Sequence, residues 1–89
     1  SDDKKIWQRD VSWVQQADVL IAEVTQPSLG VGYEISEAHN SNTPVLALYH
    51  PRSGNKLSAM INGDPNVVVI EYSNIEEAKF NIDIYFNNL

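Results

Sequence analysis

Three short apolar runs are spaced along the chain. They cover residues 19–24, 44–49 and 67–72 and are rich in β-branched residues, which favours strands. Their apolar residues are continuous rather than alternating, which is typical of strands covered on both faces. The pattern therefore predicts three buried strands.

The segments before, between and after these runs carry apolar residues at intervals of three and four, as amphipathic helices do. The resulting order, α-β-α-β-α-β-α, predicts a single α/β domain over residues 1–89. Its parallel sheet is expected to have helices on both faces, as in flavodoxin-like or Rossmann-like folds. The apolar positions that define the helices are Trp7, Val11 and Val14, then Val31, Ile35 and Ala38, then residues 57–61, and finally Ile75, Ala78, Ile82 and Phe86.

Three strands are few for a doubly wound domain, whose sheets usually have about five or six. A chain of 89 residues also leaves a large share of its surface in water. We therefore expect that an N-terminal strand and its loop are absent from this chain, and that part of its surface is shared with a partner.

Composition narrows the classes of function. The net charge of −6 argues against a nucleic-acid partner, which needs a cationic face. A small phosphate ester remains compatible, because backbone N–H groups can hold it. The absence of cysteine excludes disulfides and thiolate chemistry, and His39 and His50 lack the clustered carboxylates of a metal site. No membrane span or leader is evident, so we expect a cytoplasmic protein.

Residues 25–32 lie between the first predicted strand and the following helix, where α/β proteins bind nucleotides. Gly30 and Gly32 allow a ligand to approach the backbone, and Ser28 places a hydroxyl at the helix start. A plain reversal of the chain explains the same turn about equally well.

Two carboxylates interrupt apolar helix faces. Glu34 lies among the positions expected to face the sheet, and Asp10 lies between Trp7 and Val11. A single such residue is commonly satisfied by a local partner or by water. Two such carboxylates, on helices that flank one strand, are expected to converge near the Ser28–Gly32 turn. Cleavage of a glycosidic bond with retention needs two carboxyl groups about 5–5.5 Å apart, one of them with a raised pKa.

The stretch AEVTQPSLGVGYE, preceded by the aspartate of RDVSWVQQAD and followed by PRSGNKLSAMI, closely resembles the 2′-deoxynucleoside 5′-phosphate N-hydrolases of the nucleoside 2-deoxyribosyltransferase superfamily. The resemblance covers about residues 8–61 and continues more loosely to the end. It implies a homodimeric enzyme without a cofactor that cleaves deoxynucleoside monophosphates to a free base and 2-deoxyribose 5-phosphate. It also implies a cytoplasmic location, and a nuclear one as well if the source is eukaryotic.

The resemblance also implies roles for individual residues. Glu34 matches the nucleophile that forms a glycosyl-enzyme ester, and Asp10 matches the residue that contacts the base and protonates it. The implied substrate-binding residues are Ser28 and Gly30 for phosphate and sugar, and Ser58, contributed across the dimer interface, with Met60 beside it. The family's N-terminal strand and Gly-Ser-Ile-Arg-Gly-like loop have no counterpart in this sequence.

Two other functions stay open. A deoxyribosyltransferase uses the same intermediate, but transferases generally do not use 5′-phosphates, whereas Ser28 and Ser58 favour one. A non-catalytic nucleotide-binding module is disfavoured because it would gain stability by replacing Asp10 and Glu34 with apolar residues.

Five other side chains receive structural interpretations. Tyr33 is expected in the core, on the side of its helix away from Glu34, and Trp7 and Trp13 in the core or an interface. The loop that carries Arg52 and Lys56 is interpreted as a solvated loop rather than a phosphate guide.

Overall fold

The computed structural model describes residues 1–88 and has the predicted alternation of helices and strands. Most bounds agree with the apolar pattern to within two residues, as expected for frayed ends. The elements are α1 (Asp2–Gln16), β1 (Leu20–Glu23), α2 (Leu29–Asn40), β2 (Val45–Tyr49), α3 (Ala59–Asn62), β3 (Val67–Glu71) and α4 (Ile75–Asn87), with a 3₁₀ turn at Pro51–Ser53.

Within the described residues the strands form one parallel sheet in the order β1-β2-β3. This arrangement confirms the predicted α/β class. The central strand is buried on both faces, since Val45 and Leu46 are both 0% exposed. The expectation of full burial was wrong for the outer strands, because Ile21 on β1 is 44% exposed and Val68 on β3 is 49% exposed.

The main core lies on one face of the sheet. There Val14 of α1 and Ile35 and Ala38 of α2 pack on the inward residues of β1 and β2, with Ile61 of α3 at the margin. Leu46 alternates to the opposite face. On that side α4 packs against β3 and buries Ala78. Helices therefore lie on both faces, with three on the side that carries the candidate site.

Each helix begins at a polar side chain that accepts a hydrogen bond from the first turn. These N-cap residues are Ser1, Ser28, Ser58 and Asn74. Such caps satisfy backbone N–H groups that otherwise lack partners, so they fix where a helix starts. In the part of the chain that the structure describes, no helix has the length and apolar character needed to cross a membrane.

Candidate active site

Helices α1 and α2 pack side by side and enclose a cleft of about 300 Å³. Two side-chain hydrogen bonds bridge the helices, from Trp7 Nε1 to Tyr33 Oη at 3.0 Å and from Gln15 Nε2 to Glu37 Oε1 at 3.2 Å. The residues that line the cleft are Asp3, Ile6, Trp7, Asp10, Val11, Gly30, Tyr33 and Glu34.

The two carboxylates singled out from the sequence lie together in this cleft. Burial raises the pKa of the Glu34 carboxyl above its ordinary value, and the negative charge of Asp10 raises it further. Asp10 also pairs with the neighbouring Arg9, whose Nε lies 3.2 Å from Asp10 Oδ1. Glu34 makes no ion pair within residues 1–88. The two acids therefore interact electrostatically, and Glu34 has no cationic partner within residues 1–88.

Glu34 does not lie on the face of α2 that contacts the sheet, so that expectation was wrong. The buried residues of α2 are Ile35 and Ala38, and Glu34 is only half-buried. A residue directly before Ile35 is rotated by about 100° from it, which places Glu34 at the margin of the apolar stripe. Because α1 packs along that margin, the carboxylate faces α1.

Tyr33 was misplaced by the sequence interpretation, and neither Trp7 nor Trp13 lies in the core, so their assignment to an interface stays a prediction. Tyr33 lines the same cleft as Glu34 and is 55% exposed, so it is neither on the opposite side of the helix nor in the core. Trp7 lines the cleft at 50% exposure, and Trp13 is exposed with the Arg9 guanidinium 4.8 Å from its ring centroid. Trp7 precedes Asp10 by three residues and thus shares its helix face, a spacing that could have identified it.

The predicted binding residues are divided between two cavities. Gly30 lines the cleft with the carboxylates, whereas Ser28, Ser58 and Met60 line a second cavity of about 770 Å³ between α2 and α3. The first turn of α2 separates the two cavities. The rim of the larger one is apolar, because Leu29 is 97% exposed and Met60 is 85% exposed. We call this second cavity the α2–α3 groove.

Both predicted phosphate-binding serines are helix N-caps. Ser28 Oγ accepts from the Val31 N–H at 3.3 Å, and Ser58 Oγ accepts from the Met60 N–H at 3.2 Å. A hydroxyl that accepts from the backbone keeps its own proton as a donor. Capping is therefore compatible with donation to a phosphate oxygen.

A polar cluster at the carboxyl ends of the three strands was not found from the sequence. The Thr25 N–H donates to Glu23 Oε1 at 2.6 Å, the Tyr72 hydroxyl donates to Glu23 Oε2, and the His50 N–H donates to Thr25 Oγ1 at 2.9 Å. Burial opposes ionisation of Glu23, but the hydrogen bonds from Thr25 and Tyr72 outweigh it and lower the pKa of Glu23. Carboxyl ends of parallel strands share one edge of a sheet, and that rule is the signal that groups these residues.

The histidine, arginine and lysine side chains named in the sequence analysis do not line the cleft between α1 and α2. His39 Nδ1 lies 2.7 Å from Asp64 Oδ1, beside the α2–α3 groove. Arg52 and Lys56 are exposed in the loop after β2, as the sequence interpretation expected. Neither lines the cleft or the groove.

Comparison with solved structures finds a similar fold. The chain is similar to a CMP N-glycosidase of Clostridium botulinum, BcmB, with a TM-score of 0.81 and 22% identity over 93% of this chain and 75% of that chain. At this identity the likeness establishes the fold alone.

Sequence comparison gives nearer relatives. The chain is 46% identical to the human 5-hydroxymethyl-dUMP N-hydrolase over 94% of this chain and 49% of that protein. It is 47% identical to the enzyme of that name from Tetraodon nigroviridis, over 97% of this chain and 62% of that protein. A protein provisionally named 2′-deoxynucleoside 5′-phosphate N-hydrolase 1 from Syntrophotalea carbinolica is 48% identical over 84% of this chain and 53% of that protein.

No protein-family model matches the sequence. The chain spans between about half and about three fifths of the length of these curated relatives. The matched region nevertheless extends over most of this chain, and with 97% covered in the Tetraodon nigroviridis comparison it spans the turn and the helix that carry Ser28, Gly30 and Glu34. Over most of its length the chain is similar to the 2′-deoxynucleoside 5′-phosphate N-hydrolases and fits that family.

Proposed function

We propose that the protein hydrolyses the N-glycosidic bond of 2′-deoxynucleoside 5′-monophosphates, releasing a free base and 2-deoxyribose 5-phosphate. The observation that carries this proposal is the pairing of Asp10 and Glu34 in one cleft, with Glu34 free of any cation within residues 1–88. The names of the relatives support the same reaction class.

In the first step a Glu34 carboxylate oxygen attacks C1′ of the deoxyribose. The bond between C1′ and the base nitrogen breaks, and its electron pair stays with the base. Asp10 donates a proton to the departing base. The sugar remains attached to Glu34 as a glycosyl ester. Two carboxyl groups with separate roles are the usual requirement for retaining cleavage of a glycosidic bond.

In the second step water hydrolyses the ester. Asp10, now ionised, removes a proton from the water as its oxygen bonds to C1′, and the C1′–O bond to Glu34 breaks. The sugar phosphate leaves, Glu34 is restored as a carboxylate and Asp10 is protonated again. The reaction balances without a cofactor.

The division of the binding residues between two cavities favours a homodimer. Ser58 and Met60 do not line the cleft that holds Asp10 and Glu34 of the same chain. A second copy that places its Ser58 and Met60 against the cleft would bring all four residues into one site. The exposed apolar rim formed by Leu29 and Met60 is the kind of surface that such a contact would cover. In this arrangement Ser28 and Ser58 donate to the 5′-phosphate, and Ser58 serves the partner's site.

The test is release of free base from dGMP, dCMP or dUMP by the purified full-length protein, followed by chromatography. Wild-type protein should release base, and Glu34→Ala should abolish release while substrate still binds. Glu76→Ala is the matched control, because it removes an exposed carboxylate on α4 that lines neither cavity. Equal activity of Glu34→Ala and wild type would overturn the proposal.

A second measurement separates hydrolysis from transfer. Free acceptor base is added to the same reaction, and the products are examined for a new nucleotide. Hydrolysis predicts only the released base and 2-deoxyribose 5-phosphate, whereas a deoxyribosyltransferase would also produce the exchanged nucleotide.

A further inference from the structure

The aromatic residues of the cleft are more exposed than packing alone requires. Trp7 and Tyr33 are each at least half exposed, yet their side chains are joined by the hydrogen bond from Trp7 Nε1 to Tyr33 Oη. Large aromatic side chains bury most of their area when their role is packing. This pair instead presents open ring surface beside Asp10 and Glu34.

The charge of the cleft indicates which part of a nucleotide it accepts. Its ionisable side chains are Asp3, Asp10, Tyr33 and Glu34, and no lysine or arginine lines it. A phosphate dianion would be repelled by three carboxylates. A neutral base and sugar would not, so the base end of a nucleotide is the part that fits.

The sequence spacing places the indole close to the group that handles the base. Trp7 and Asp10 are three residues apart on α1 and therefore lie on one face of the helix. Tyr33 directly precedes Glu34 on α2. The hydrogen bond between the two aromatic side chains restricts rotation of the indole, which reduces the entropy lost when a planar ligand binds against it.

From this arrangement we propose that the ring face of Trp7 stacks on the nucleobase of the substrate and that Tyr33 acts as a positioning residue by orienting the indole. The assignment rests on the proposed function and adds the contact that recognises the leaving group. Stacking tolerates any base but is stronger for larger ones, so purine nucleotides bind more tightly than pyrimidine nucleotides through this contact.

The first test compares two ligands that differ only in the base. Binding of dGMP and of 2-deoxyribose 5-phosphate to the full-length protein is measured by calorimetry. Trp7→Ala should weaken dGMP binding by about tenfold or more, the usual size of one base–aromatic stack. It should leave the affinity for 2-deoxyribose 5-phosphate unchanged. Equal losses for both ligands, or no loss for either, would overturn the assignment.

The second test uses the two tryptophans of the chain. Trp13→Phe leaves Trp7 as the sole tryptophan, and dGMP should quench its fluorescence. Trp7→Phe leaves Trp13, which does not line the cleft, and its fluorescence should not respond. A response from Trp13 alone would contradict the proposal.

The role of Tyr33 is tested with Tyr33→Phe, which keeps the ring but removes the acceptor for the indole. KM for dGMP should rise by a larger factor than kcat falls, because the change affects binding of the base more than the chemical step. A fall in kcat with unchanged KM would exclude the positioning role. Failure of wild-type protein to bind dGMP would instead overturn the proposed function and this assignment together.

Discussion

The Thr43 hydroxyl, which precedes β2, donates a 2.9 Å hydrogen bond to the main-chain carbonyl of Val14 in the last turn of α1. Thr43 is a polar residue buried in the core, at 3% exposure. This bond joins the helix that carries Asp10 to the central strand of the sheet.

Thr43→Val should therefore lower the free energy of unfolding by about 1–2 kcal/mol, because the substitution removes the donor and leaves the Val14 carbonyl poorly satisfied. Denaturant titration measures the change. Thr43→Ser keeps the hydroxyl and is the control. A valine variant as stable as wild type would show that the bond contributes nothing.

The raised pKa of Glu34 makes stability depend on pH. Between the ordinary value of 4.5 and the raised value, the folded chain holds a proton that the unfolded chain has lost. The free energy of unfolding contributed by this group therefore falls as the pH rises through that window. Glu34→Gln should be more stable than wild type at pH 7 and no more stable well below pH 4.5, as thermal melts across pH would record.

The effect of the Asp10 charge on Glu34 can be measured at the Glu34 carboxyl group itself. Asp10→Asn removes the charge that contributes to the shift, so the pKa of Glu34 should fall towards its ordinary value but remain above it, since burial is the larger cause. Carbon-13 NMR titration of the Glu34 side chain measures this directly. An unchanged titration curve would show that the two carboxylates do not interact.

Loss of a serine cap should lower both stability and phosphate binding, whereas loss of a cap outside the cavities should lower stability alone. Ser28→Ala removes the acceptor for the Val31 N–H and should cost about 1 kcal/mol of stability. It should also weaken binding of a nucleoside monophosphate much more than binding of the nucleoside. Asn74→Ala removes the cap of α4, outside both cavities, and should affect stability alone. Ser58→Ala is likewise expected to weaken binding of the nucleoside monophosphate more than binding of the nucleoside.

The hydrogen bond from Tyr72 to Glu23 should stabilise the carboxyl edge of the sheet in a manner that depends on pH. The pKa of Glu23 is lowered in the folded chain, so its contribution is present above the ordinary value of 4.5 and is lost as the pH falls through the folded value. Tyr72→Phe should cost up to about 1 kcal/mol at pH 7 and less in acid. Tyr85→Phe on α4 is the control, with little change expected at any pH.

The sequence predicted what depends on local pattern. The order of the elements follows from apolar spacing, and the start of α2 follows from Ser28, because both signals lie within a few residues of what they specify. The orientation of Glu34 did not follow, since it depends on which margin of α2 the first helix covers. That choice is made by contacts such as Thr43 with Val14, which are 29 residues apart.

Other parts of the site could not be predicted because they depend on contacts between residues far apart in the sequence. The contact between Glu23 and Tyr72 joins residues 49 positions apart, and no local pattern marks either one. The separation of Ser58 from Glu34 likewise depends on how α3 lies against α2. Tyr33 was assigned to the core, and Trp7 to the core or an interface, because helical spacing alone does not distinguish a buried face from the wall of a cleft.

The residues that form the cleft between α1 and α2 all fall within positions 3–34, whereas the α2–α3 groove needs residues as late as Pro65. Every residue that lines the cleft therefore precedes β2 in the chain, whereas the groove also depends on α3 and on the loop before β3. A substitution in or after β2 can reshape the groove without replacing any side chain that lines the cleft.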